Sequence, residues 1–253
     1  MMLSVRDLHF GYTKDREVLK GISCDIPQGR LVSVLGPNGC GKTTFVKCIN
    51  RILNPWLGTI HLGNKALLSC PPSEIAKRIG YVPQVFSGAL SGTVIDFILL
   101  GRRQYLNWRL KEADLLAVME VLDRLNIREF ANRDFSALSG GQRQKVLVAR
   151  ALLQTPEMYI FDEPTSNLDL KNQIEIMELA RNIVNQEGKS VIMVVHDLNM
   201  ALHYSDHIIL MHNGTIIAQG TPAEVLTSEN IRIAYDVRTK LESCGYINPF
   251  INE

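Results

Sequence analysis

GPNGCGKTT, residues Gly36 to Thr44, is the stretch whose reading decides the fold. It fits G-x-x-x-x-G-K-[ST], the phosphate-binding loop. The apolar run Leu31-Val32-Ser33-Val34-Leu35 leads into it, and a helix is expected to lead out from Thr44 to Leu53. Strand, glycine loop and helix form the context that this motif requires. Gly36, Gly39 and Gly41 permit backbone angles that side chains forbid, while Pro37, Asn38 and Cys40 fill the variable positions. Successive N–H groups can then curl around a phosphate, and the helix that follows points its positive end at the same anion. Lys42 adds a full charge suited to β- and γ-phosphates, and the Thr43 hydroxyl can ligate Mg²⁺. The bland alternative is a glycine-rich turn between a strand and a helix.

Outward from this loop, the chain reads as α/β. Leu3 to Phe10 and Val18 to Ile26 read as strands, with a turn beginning at Gly11-Tyr12. Gly58 to Gly63 and Ile79 to Gln84 read as short strands, with a helix at Pro71 to Arg78 capped by Ser73. From Ser91 to about Arg133 the pattern is mostly helical, with Leu115, Val118, Leu122 and Leu125 on one face. A helix is expected from Ser139 to about Leu153 and another from Leu170 to Gln186. Met158 to Phe161 and Val191 to Val195 are continuous apolar runs, as in the middle of a parallel sheet. His212-Asn213-Gly214 joins two further strands with an Asn-Gly hairpin signal, and a short helix is expected at Ala223 to Leu226. The tail after Arg238 is polar and poorly patterned.

Composition narrows the classes. With 46% hydrophobic residues among 253, the chain can bury a sizeable core. A net charge of +1 gives no nucleic-acid signature. Its five cysteines are scattered without a C-x-x-C pair, which suits a reducing cytosol and offers no metal-site spacing. The start, MMLSVRDLHF, lacks the architecture of a signal peptide, and no apolar run approaches the ~18 residues that span a bilayer. Any membrane part of the function is therefore expected on another chain.

Three polar sites fall at strand ends: the glycine loop, Asp162-Glu163 and His196. In open α/β sheets, ligands bind outside the carboxyl ends of strands. Adjacent strand residues point to opposite sides, so Asp162 can hold a Mg²⁺ water while Glu163 faces the γ-phosphate and polarises the attacking water. Alone, a strand ending in two acids would be a solvated strand end; beside a phosphate loop, the functional reading is the stronger. A histidine near a buried strand is more often a satisfied core residue, but His196 sits at a carboxyl end beside Asp197, which favours a γ-phosphate contact. Gln84 by itself is a polar loop residue. Tyr12 is read equally as an adenine-stacking ring or as an edge-packing aromatic.

LSGGQ, Leu138 to Gln142, is a second phosphate-type site. Ser139 can cap a helix, and Gly140 and Gly141 allow close backbone approach to an anion. By composition the pentapeptide should arise by chance in fewer than about one chain per thousand.

With these motifs together, the chain resembles the ATP-binding cassette family, the ATPase subunits of ABC transporters, over nearly its whole length. In family order the motifs are Tyr12 as the A-loop aromatic, GPNGCGKTT as Walker A, Gln84 as the Q-loop, LSGGQ as the signature and YIFDE as Walker B. Ser166-Asn167-Leu168-Asp169 is the D-loop and His196 the switch histidine; Asn167 stands where alanine is frequent. The resemblance implies a P-loop NTPase fold with a RecA-like parallel sheet, an antiparallel β subdomain and an inserted α-helical subdomain. It implies a core of residues 1–86 and 143–238, a helical insertion at 87–142 and a short polar tail at 239–253. It further implies ATP and Mg²⁺ as ligands, with Glu163, His196 and Gln84 catalytic and Thr43, Gln84 and Asp162 at the metal. Two copies would pair head-to-tail, so that Ser139, Gly140, Gly141, Gln142 and Asp169 of one close over ATP on the loop of the other. The dimer would lie on the cytoplasmic face of the membrane, drive permease subunits and be served indirectly by a substrate-binding protein.

LLGRRQYLNW (Leu99 to Trp108), VVHDLNMALHYSD (Val194 to Asp206) and AQGTPAEVLTSENI (Ala218 to Ile231) look like the subgroup serving iron-siderophore, haem and cobalamin importers, with molybdate or tungstate systems nearby. Arg102 and Arg103 read equally as a solvated basic turn. No extra regulatory domain or fused membrane domain is expected. An ATPase acting on DNA or ribosomes would usually carry coiled-coil insertions or two cassettes, and a kinase would leave LSGGQ unexplained.

Overall fold

The structure is a computed structural model that describes residues 3–84, 86, 92–103, 111–166, 168–241 and 246–250. Asn167, Cys244, Ser91 and residues 104–108 of the LLGRRQYLNW stretch lie outside the described residues. In chain order, the first half holds β1 (Leu3–Thr13), β2 (Arg16–Ile26), β3 (Leu31–Leu35), α1 (Lys42–Ile49), β4 (Leu57–Leu62), β5 (Lys65–Ala66), α2 (Pro72–Arg78), β6 (Ile79–Val82), α3 (Val94–Leu99) and α4 (Glu112–Arg124). The second half holds α5 (Gly140–Leu153), β7 (Met158–Asp162), α6 (Leu170–Glu187), β8 (Ser190–Val194), α7 (Leu198–Tyr204), β9 (His207–His212), β10 (Thr215–Gly220), α8 (Pro222–Val225), α9 (Ser228–Tyr235), β11 (Arg238–Leu241) and β12 (Ile247–Phe250).

The main sheet has the order β10-β9-β3-β8-β7-β6. Its strands β9, β3, β8, β7 and β6 run parallel, and β10 turns back antiparallel through the Asn213-Gly214 hairpin. Strand alternation sends successive residues to opposite faces, which here builds two cores. Leu31, Leu35, Tyr159, Phe161, Val191 and Met193 face the side covered by the helical segment. Val32, Val34, Met158, Ile160, Ile192 and Val194 face the antiparallel sheet β2-β1-β4-β5. Both faces are covered, so these strands read as unbroken apolar runs rather than alternating ones.

Several expectations are corrected. β1 continues through Gly11 and Tyr12 to Thr13, because Thr13 pairs with Arg16 and moves the turn outward. α1 starts at Lys42, two residues before the expected Thr44, because Gly41 takes a left-handed φ of 107° and caps the helix itself. α2 starts after Pro71, not Ser73, with Pro72 at its first position, where a missing N–H costs nothing. On α4, Val118 and Leu122 are buried, but Leu115 is exposed; Asp114 is buried instead and pairs with Arg102 at 3.0 Å. Arg102 is therefore not a freely solvated turn residue, since it also donates to the Leu153 carbonyl. α5 begins at Gly140, one residue after the expected start at Ser139, which serves as its cap. Within the tail, β11 and β12 pair antiparallel.

Candidate functional site

Parallel pairing aligns three strand ends. Val34 of β3 and Asp162 of β7 both lie opposite Val194 of β8. Gly36, Glu163 and His196 thus leave the sheet at one level along its carboxyl edge. This is the convergence expected from the sequence.

The glycine loop is built by steric necessity. Gly36 has φ 146°, and a Cβ there would lie 2.2 Å from the Met211 carbonyl oxygen. The loop is pinned from outside by the Gly214 N–H, which donates to the Cys40 carbonyl at 3.1 Å. Lys42 is buried, its Nζ donating to the carbonyls of Gly36 at 2.8 Å and Pro37 at 3.0 Å. The ammonium is held against the loop's own carbonyls rather than in solvent. Cys40 is buried at 4% exposure against this loop, and burial pushes its thiol up, opposed by Lys42.

Asp162 is buried to 1% exposure, yet both carboxylate oxygens are satisfied. Oδ1 accepts from the Thr43 hydroxyl at 2.8 Å and Oδ2 from the Tyr81 hydroxyl at 2.8 Å. Burial raises the carboxyl above its ordinary value, and the Thr43 and Tyr81 hydrogen bonds with Lys47 work against it. Hydroxyl and carboxylate oxygens are the donors a hard divalent cation takes, and Mg²⁺ is commonly held by one or two carboxylates plus substrate phosphates. Thr43 and Asp162 fit that donor set. Among the described residues, no group of three His, Cys, Asp or Glu side chains could hold a metal independently of such phosphates. Tyr81 was not singled out in the sequence; its place on β6 beside β7 follows only from the parallel register Val82 to Phe161.

Glu163 stands in the left-handed region at φ 50°. Such strain costs about 1–3 kcal/mol for a non-glycine residue. Ser166 offsets it by donating both its N–H, at 3.2 Å, and its hydroxyl, at 2.9 Å, to the Glu163 carbonyl. The twist turns the carboxylate away from Asp162 and toward two partners: Oε2 accepts from the Gln84 amide at 2.5 Å, and Oε1 lies 2.8 Å from His196 Nε2. Glu163, Gln84 and His196 are therefore brought together, while the amide nitrogen of Gln84 is directed to Glu163 rather than to the Thr43–Asp162 pair. Asp197 caps α7 through the N–H groups of Asn199 and Met200.

Beside the loop lies a cleft of about 310 Å³ lined by Tyr12, Arg16, Asn38, Lys42, Thr43 and Glu163, among others. The Tyr12 ring is 60% exposed, meets Phe10 edge-on at 5.2 Å, and its hydroxyl lies 3.1 Å from Thr44 Oγ1. Its ring is thus presented on the strand, anchored at its tip. Arg16 and Val18 were missed, since nothing local distinguishes them from other strand residues.

Ser139, Gly140, Gly141, Gln142 and Asp169 form a second cluster and do not line this cleft. Ser139 caps α5 reciprocally with Gln142: Ser139 Oγ accepts from the Gln142 N–H and Gln142 Oε1 from the Ser139 N–H. A Cβ on Gly140 would meet nothing within 4 Å, so this helix end is open. Asp169 Oδ1 accepts from the N–H and the amide of Asn172, each at 2.8 Å, and Asn172 neighbours Gly141. One chain thus carries a phosphate loop with its polar triad, and a separate open helix end.

Residues 19–166 match the family described as ABC transporter. An uncharacterised ABC transporter ATP-binding protein of Methanocaldococcus jannaschii is 44% identical, covering 96% of this chain and 94% of that protein. The iron(3+)-hydroxamate import ATP-binding protein FhuC of Bacillus subtilis is 35% identical, covering 94% and 89%. An inward-facing metal-chelate type ABC transporter structure is 30% identical with a TM-score of 0.84, covering 99% of this chain and 98% of that one. A dimeric, post-hydrolysis ATP-binding cassette bound to ADP and Pi, MJ0796, is 28% identical with a TM-score of 0.79, covering 87% and 98%.

Proposed function

The chain belongs to the ABC transporter family of ATP-binding cassettes, and from that premise we propose that it is the ATPase subunit of a metal-chelate importer of the iron-siderophore, haem or cobalamin type. The observation that carries the hydrolytic part is the Glu163 carboxylate, poised between Gln84 and His196 at the edge of the loop cleft. The chelate class is supported by the likeness to the hydroxamate importer subunit and the metal-chelate transporter.

In this reading Tyr12 stacks on adenine, and Lys42 with the N–H groups of residues 39 to 44 holds the β- and γ-phosphates. Glu163 accepts a proton from the attacking water. His196 donates toward the γ-phosphate, and Gln84 orients the Glu163 carboxylate. Thr43 and Asp162, with the carboxamide oxygen of Gln84, would hold Mg²⁺, which would neutralise charge on the transferring phosphate. Phosphate binding would draw Lys42 from the Gly36 and Pro37 carbonyls.

The helix end at Ser139, capped by its own side chains but open beside Gly140, has room for a phosphate brought by a partner. A second copy, head-to-tail, supplies one: the loop-bound ATP of one copy is closed over by Ser139, Gly140, Gly141 and Gln142 of the other, with Asp169 at the junction. The dimeric cassette MJ0796 supports this arrangement. No helix among the described residues is long and apolar enough to cross a membrane, so permease subunits supply the pathway at the cytoplasmic face. A groove of about 330 Å³ between the helical segment and the core, lined by Arg51, Ile52, Ile75, Leu100 and Arg150 among others, offers them a docking surface. The test is reconstitution with a chelate permease and its binding protein. ATP hydrolysis stimulated by the chelate-loaded binding protein supports the assignment; co-purification with nucleic acid and no permease would overturn it.

A further inference from the structure

The C-terminal strand pair is anchored at both ends of its path. Ser228 of α9 donates its hydroxyl to the Thr239 carbonyl of β11 at 2.8 Å. On β12, Ile247 is buried at 2% exposure in the core on the helical side of the main sheet. Its backbone meets one side chain twice: the Ile247 N–H donates to Asn199 Oδ1 at 2.7 Å, and Asn199 Nδ2 donates to the Ile247 carbonyl at 3.3 Å. A carboxamide that both accepts from and donates to one residue reproduces the double exchange of a hydrogen-bonded antiparallel pair. Asn199 therefore stands in for a strand neighbour on the open edge of β12.

Asn199 lies three residues past His196. Its own N–H is one of the two that Asp197 caps, at 2.7 Å. Hydrogen bonds thus link the Ile247 backbone to the Asn199 amide and the Asn199 N–H to Asp197, the covalent neighbour of His196. α7 has seven residues, of which only Ala201 is fully buried. A helix this short has little stability of its own, so its first turn is held by tertiary ties.

We propose that Asn199, gripped by Ile247 of the C-terminal strand pair, is a positioning residue that sets the reach of His196 toward Glu163 and the γ-phosphate. This rests on the reading of His196 given above. The strand pair then belongs to the support of the hydrolytic site, although it lies at the far end of the sequence. Small displacements of a reacting or orienting group lower rate without weakening binding made elsewhere. Loosening Asn199 should therefore lower kcat and leave ATP affinity, which Lys42 and Tyr12 govern, largely intact.

The experiment compares full-length Asn199→Ala, Asn199→Asp, His196→Ala and the double variant Asn199→Ala/His196→Ala by release of labelled phosphate from ATP, with melting temperature recorded for each. Asn199→Ala is expected to lower kcat by about 10-fold with KM for ATP within about 2-fold. Asn199→Asp keeps the acceptor for the Ile247 N–H and should recover part of the loss. It also decides the matter if the alanine variant fails to fold, since its kcat must then fall below wild type at unchanged KM. In the His196→Ala background, Asn199→Ala should cause no further loss, because coupled residues are non-additive. Full activity of folded Asn199→Ala, or a loss that adds to that of His196→Ala, would overturn the inference. Unchanged hydrolysis in His196→Ala alone would instead remove the reading of His196 on which it stands.

Discussion

His196 Nε2 lies 2.8 Å from Glu163 Oε1, joining the residue that follows β7 to one that follows β8. The contact requires the left-handed backbone of Glu163, which turns its carboxylate away from Asp162. Two adjacent acids are thereby given separate partners: Asp162 faces Thr43 and Tyr81, and Glu163 faces Gln84 and His196.

Glu163→Gln should lower turnover by about 10²- to 10⁴-fold, the loss expected for a positioned general base. ATP binding should persist, because Lys42 and the loop are untouched. Phosphate release and nucleotide titration on the same preparation check both halves. Turnover at the wild-type rate would remove Glu163 from its role.

Lys42→Ala should act on binding itself. Hydrogen bonds to a charged group are worth about 1.5–3 kcal/mol, so ATP affinity should fall by about 10- to 100-fold. Calorimetric titration measures this directly, and unchanged affinity would contradict the assignment of the loop.

Asp162 titrates with a sign opposite to that of most paired carboxylates. Burial raises it above its ordinary 3.8, so the folded state binds the proton more tightly than the unfolded chain. The stability this group contributes is full below about pH 3.8 and is lost as pH rises through the folded value. Asp162→Asn abolishes that titration, and the Thr43 and Tyr81 hydroxyls can reorient to serve an amide. The variant should melt higher than wild type at neutral pH and lose Mg²⁺-dependent hydrolysis, with the gain in melting temperature shrinking toward acid. A gain that grows toward acid would contradict this account.

Cys40 should react slowly with maleimide near neutral pH, and faster as pH rises, because it is buried and its thiol is held up. The reactive form is the thiolate. Once modified, the protein should lose ATP binding, since the sulfur lies against Gly36, 2.7 Å from where a Cβ would sit. Peptide mass spectrometry with nucleotide titration tests this; full ATP affinity with Cys40 modified would refute it.

What the sequence made legible is what depends on local chemistry. The glycine loop, the Asp-Glu strand end and the Asn213-Gly214 hairpin each announce themselves through residues with special backbone needs, and the paired strand ends follow from apolar runs bounded by polar residues. Tyr81 was not legible because its role depends on β6 lying beside β7, a pairing of residues nearly eighty positions apart. The strand pair β11-β12 was not legible because RTKL and INPF lack a strand pattern; their order comes from docking Ile247 into a distant core and onto Asn199. Leu115 was misassigned because helical spacing gives a face but not the width that its neighbours cover, and Arg102 drew Asp114 inward instead.

In the proposed function, a second copy completes the site. Size-exclusion chromatography with light scattering on Glu163→Gln, with and without ATP and Mg²⁺, tests it most directly. A shift from monomer to dimer that needs both ligands, and is abolished by Ser139→Phe or Asp169→Ala, is the predicted result. A chain that binds ATP and remains monomeric, both alone and when assembled with its permease into a complex holding only one cassette, would contradict it.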